Sequence, residues 1–170
     1  GMAMQRMILD CDDSMTIKSA VGVTPVPACG GGPLDENGTA LFEGAVQNDG
    51  NRYGILDFTT GGRLSAAWLN NMVKASRDTT NEAAFGGYLA AWVKENFADE
   101  VGAIKTPMMV CVGEHDGAIT EEAMRGTYLQ WFEGCELGVM PNCGFCPMQE
   151  TPVYLMTMME ALMRKHGWGR

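Results

Sequence analysis

The apolar positions of this chain follow two rhythms, and their order along the sequence sets the expected architecture. Met2, Met4, Met7, Ile8 and Cys11 recur at helical spacing, so the first segment predicts a helix that Asp12, Asp13 and Ser14 end. Ala20 to Thr24 is a short apolar run stopped by Pro25 and Pro27, as in a buried strand. Cys29 to Pro33 reads as a loop. From Asp35 to Phe97 the text turns helical, with breaks at Asp49-Gly50, Gly61-Gly62 and Asp78 to Thr80. Four short helices are expected near 35–47, 51–58, 65–76 and 80–97. Helices this short are unstable alone, so they must lie on something.

The last third alternates more plainly. Met108 to Val112 is continuously apolar between Pro107 and Gly113, which predicts a strand covered on both faces of a parallel sheet. Thr120 can cap a helix whose first turn holds Glu121 and Glu122, running to about Phe132. Glu136 to Met140 is a weaker strand, and Thr151-Pro152 starts a helix that continues to about Lys165. Strand, helix, strand, helix makes a right-handed parallel crossover. The loops after both strands then emerge on one sheet edge, where open α/β sheets place ligands. These loops are Gly113 to Asp116 and Pro141 to Pro147.

Bulk composition narrows the reading. The chain has 170 residues, 46% of them hydrophobic, enough for one domain with a real core. Twelve basic residues against 21 acidic ones give a net charge of −9, which speaks against nucleic acid or anionic membrane partners. No apolar run reaches membrane-spanning length and no secretory leader is visible, so the six cysteines read as thiols of a cytoplasmic protein. The fourteen methionines read as adaptable core filler. Gly1 before Met2 reads as a residue left by a cleaved tag.

The two loops and their flanks resemble the α/β-hydrolase superfamily, in particular its small enzymes with a helical cap. The stretches that carry the likeness are Thr106-Pro-Met-Met-Val-Cys-Val-Gly-Glu-His-Asp116 and Pro141-Asn-Cys-Gly-Phe-Cys-Pro-Met-Gln-Glu-Thr-Pro152. Val23 to Pro27 resembles the strand that leads into the cap, and residues 1–20 resemble the helix after the nucleophile turn. The resemblance implies an α/β fold: the C-terminal part of the hydrolase core in 1–28 and 101–170, with a short, mostly parallel three-stranded sheet. It implies a helical cap in 29–100, and places the triad's acid at Asp116. Pro25, Val26, Trp68, Phe85 and Trp92 become candidates to line a pocket for a small apolar ligand. No cofactor and no metal are implied.

The departures from the family carry as much weight. Its nucleophile sits in a Gly-x-Ser-x-Gly turn, and none of Ser14, Ser19, Ser65 or Ser76 lies in one. The position of its catalytic histidine is held by Phe145. Without an imidazole to orient, Asp116 has no triad role, and His115 and His166 are poorly placed to replace it. The leading expectation is therefore a hydrolase-family protein that is catalytically inactive as this chain, with an upstream truncation accounting for the missing nucleophile. Three other readings follow from the residues. Cys143-Gly-Phe-Cys146 could act as a redox pair. His115, Asp116, Cys143 and Cys146 could converge on zinc, although such a neighbouring His-Asp pair rarely chelates one ion. Finally, a non-catalytic binding protein could form a homodimer through the exposed edge of strand 20–24.

Overall fold

The computed structural model describes residues 1–12, 14–32 and 34–166. Asp13 and Pro33, read above as part of a helix stop and of a loop, lie outside the described residues.

Three parallel strands form the centre: β1 (Ala20–Val23), β2 (Met108–Gly113) and β3 (Glu136–Met140), in the order β1-β2-β3. Ala20 stands opposite Met108, and Met109 opposite Glu136. All six residues of β2 are buried, as a continuously apolar strand requires. Its side chains alternate between two cores. Met108, Val110 and Val112 meet Ile8, Met124, Tyr128 and Phe132 on one face. Met109 and Cys111 meet Met140, Leu155 and Leu162 on the other.

Helix α1 (Met2–Leu9) supplies Ile8 to the first core and stops at Asp10, one residue before the expected Cys11. Gly1, ahead of α1, lies against the Val26 backbone. Its carbonyl accepts from the Gln5 amide, and a Cβ there would lie 2.3 Å from the Val26 carbonyl oxygen.

Between β1 and β2 lie α2 (Glu36–Gly44), α3 (Asp49–Thr59), α4 (Ala66–Thr79) and α5 (Glu82–Lys94). Each begins where a side chain can accept an orphan amide: Asp35, Asn48, Ser65 and Asn81. Arg52 ties them together. It is 2% exposed, donates to the Ala45 and Val46 carbonyls and to Ser76 Oγ, and lies 4.5 Å from the Phe85 ring centre.

The helix expected over 120–132 is two: α6 (Glu121–Gly126), capped by Thr120, and α7 (Tyr128–Trp131). Thr127, at ψ −88, breaks it and lets the fully buried Tyr128 reach Gln5 of α1, with 2.7 Å between Gln5 Nε2 and the phenol oxygen. Both groups also donate to the Val26 carbonyl. A short helix, α8 (Pro147–Glu150), precedes α9 (Pro152–Lys165). Thr151 stands at the α9 boundary, but its side chain makes no capping hydrogen bond. Pro152 at the first helical position has no amide to satisfy.

Candidate functional site

The two loops meet as the parallel crossovers demand. The Glu114 amide donates to the Met140 carbonyl and the His115 amide to the Cys143 carbonyl, at 3.0 and 2.8 Å. Contact is backbone against backbone: a Cβ on Gly113 would lie 2.3 Å from the Gly144 carbonyl oxygen, so a side chain there would force the loops apart.

Asp116 ends the first loop and is 6% exposed. Its Oδ1 accepts from the amides of Ala118 and Ile119, at 2.8 and 3.0 Å. Its Oδ2 is buried and meets no donor among the described residues. Burial pushes the carboxyl above the usual carboxylate range, and the charge of Glu150 adds to this. The two amides pull the other way without cancelling it.

Phe145 is held by its backbone and by its ring. Its amide donates to the Thr59 carbonyl at 3.0 Å, its carbonyl accepts from Thr24 Oγ1 at 3.2 Å, and its ring packs on the first core. Thr24, at the end of β1, has φ +41, an outlier for a β-branched residue. The bonds to Phe145 and from its own amide to the Cys111 carbonyl hold it there.

Sequence reasoning quoted Glu150 only as a letter of a motif, yet it organises the second loop. Its side chain is 2% exposed. One oxygen accepts from the Cys146 amide and the other from the Gly144 amide, both at 2.9 Å, and the Arg63 guanidinium pairs with the latter oxygen. The signal available beforehand was an acid three residues after Pro147 with no exposed face to occupy. Its partner, 87 positions away, was not legible.

Cys143 and Cys146 are buried free thiols. Burial pushes Cys146 up to about 12 and raises Cys143 as well. A redox thiol needs the opposite shift, because the thiolate is the reactive form. His115 is half-exposed, with Nε2 3.7 Å from Glu114 Oε2. Among the described residues no three His, Cys, Asp or Glu side chains are grouped to hold a metal ion.

The five candidate pocket residues do not converge. Val26 and Trp92 share a cavity of about 510 Å³ with Tyr88, Phe97 and the first turn of α1. Phe85 lines a separate cavity of about 270 Å³ between α3 and α4, with Ile55, Leu56 and Met72. Pro25 is fully buried under Gly22, and Trp68, half-buried in the first turn of α4, lines neither cavity.

No protein-family model matches the sequence, and no curated protein matches it significantly. Solved structures do match the fold. An enzyme described as degrading N-acyl homoserine lactones superposes with a TM-score of 0.72 at 18% identity, over 94% of this chain and 62% of that one. A thermophilic esterase gives 0.67 at 16% identity, over 86% and 57%. An α/β-hydrolase from a Medee basin deep-sea metagenome library gives 0.57 at 18% identity, over 98% and 62%. The chain thus has the α/β-hydrolase fold, and spans about six-tenths of the length of these structures. No helix among the described residues is long and apolar enough to cross a membrane.

Proposed function

We propose that this chain is a hydrolase-fold protein that does not hydrolyse esters by the Ser-His-acid route, and that it binds rather than transforms its ligand. One observation carries the reading: Asp116, at the position the resemblance gives to the acid, has Oδ2 buried with no donor among the described residues, while Phe145, at the position it gives to the base, packs its ring against the first core. An acid of this kind works by orienting an imidazole and stabilising its cation. With Phe145 in place there is no cation to stabilise. The structural neighbours include an esterase and a lactone-degrading enzyme, so carbonyl hydrolysis is the chemistry a longer polypeptide with a nucleophile turn would be tested for. Even there, Phe145 leaves the serine without its base. On this reading α2 to α5 form the cap, and the cavity at Val26 and Trp92 takes a small apolar ligand.

A panel of nitrophenyl esters tests this. No turnover above the buffer rate is expected, for the chain itself or for Asp116→Ala. Turnover that Asp116→Ala abolishes would overturn it.

A second reading concerns assembly. Among the described residues β1 pairs only with β2, leaving an apolar strand with one free edge. Such an edge favours pairing with another chain, and a homodimer with a two-fold axis beside β1 satisfies it.

A further inference from the structure

One short segment touches both site loops. Thr59 and Thr60, at the end of α3, are 4% and 0% exposed. The Thr59 carbonyl accepts from the Phe145 amide, and the Thr60 backbone lies against Gly144, where a Cβ would come within 2.6 Å of its Cα. Gly61 approaches the other loop: a Cβ on it would lie 2.9 Å from the His115 carbonyl oxygen. Arg63 then reaches Glu150, the residue that fixes the amides of Gly144 and Cys146.

We propose that Thr59–Arg63 is a strap that holds the Asn142–Cys146 loop shut beside Asp116, and that the Arg63–Glu150 ion pair is its latch. The division of bonds within the strap makes it releasable. The amides of Thr60, Gly61 and Gly62 all donate back into α3, to Leu56, Phe58 and Asp57, so these bonds survive when the strap leaves the loops. Gly61 and Gly62 have φ of +79 and +64, and nothing lies within 4 Å of where a Cβ on Gly62 would be. The chain therefore has a pivot in open space directly before the latch residue. Among the described residues, one backbone hydrogen bond, from Phe145, and one ion pair tie the strap to the loops, beside the close packing at Thr60 and Gly61. The pair is half of a buried system: Glu150 is nearly inaccessible, while Arg63 keeps about a quarter of its side chain in water. Removing Arg63 leaves a buried carboxylate with only two amides, which favours loop positions where it can hydrate.

The test needs no activity. Cys146 lies in the strapped loop, whereas Cys111 lies at the centre of β2, so their thiols report local and global opening separately. In Arg63→Ala, labelling of Cys146 by a disulfide reagent, mapped by mass spectrometry, should speed up roughly tenfold while Cys111 keeps its wild-type rate. Exchange of the Phe145 amide should accelerate in parallel. Arg63→Lys keeps the charge without the planar fork, so it should fall between the two and serves if Arg63→Ala does not fold. Unchanged Cys146 labelling, or acceleration of Cys111 in step with it, would sink the latch.

Discussion

The two oxygens of Asp116 stand in opposite situations, one with two amides and the other with no donor among the described residues, and this asymmetry has a measurable consequence. The carboxyl is raised above its unfolded value because burial penalises the charge. For an acid raised in the folded state, the folded form binds the proton first as pH falls. Its penalty is thus full at neutral pH and is relieved as pH drops through the raised value toward the ordinary range near 4. Asp116→Asn removes the charge while keeping an oxygen for the Ala118 and Ile119 amides. The variant should melt higher than wild type at pH 7, and the gap should narrow as pH is lowered into the ordinary carboxylate range. Calorimetry at several pH values checks this, and a gap that widens on acidification would mean the carboxylate has a partner in solution.

At the scale of elements, Arg52 is the test of how the four helices between β1 and β2 cohere. α2 and α5 bury no residue fully, so their attachment depends on contacts at a few points. Arg52 satisfies the carbonyls of Ala45 and Val46 just after α2, reaches Ser76 on α4 and underlies Phe85 on α5. Arg52→Met keeps most of the stem but takes the donor from the Ala45 carbonyl and leaves the Val46 carbonyl to Arg77 alone. A loss of about 2–3 kcal/mol in urea unfolding is expected, with exchange fastest in α2 and α5. The elements themselves were largely legible. Each of these four helices begins at a residue of capping type, and β2 announced itself by unbroken apolarity. The Thr127 break had one local signal, Gly126 just before it, but the partner that Tyr128 reaches there, Gln5 of α1, was not legible. The meeting of the two loops followed from topology alone, whereas Arg63–Glu150 depends on how α3 lands on the sheet. The pocket set failed to converge for the same reason, since aromatic spacing along helices does not fix the angles between them.

For the whole molecule the open question is the edge of β1. The amides of Ala20 and Thr24 donate toward β2, to the carbonyls of Pro107 and Cys111. In a parallel ladder these amides alternate, so those of Val21 and Val23 face away from β2. Val21 and Val23 also pack their side chains against the second core, which fixes the strand behind its outward edge. A net charge of −9 repels a second copy at long range, so pairing must be won by short-range contact and should strengthen with salt. Light scattering at high protein concentration should therefore report a dimer, more completely at high ionic strength. Val21→Pro removes one outward amide while sparing the bonds to β2, as proline at a strand edge can. This variant should keep its circular dichroism and scatter as a monomer. A wild type that stays monomeric at every salt and concentration would show that the β1 edge is closed by means other than a second copy of this chain.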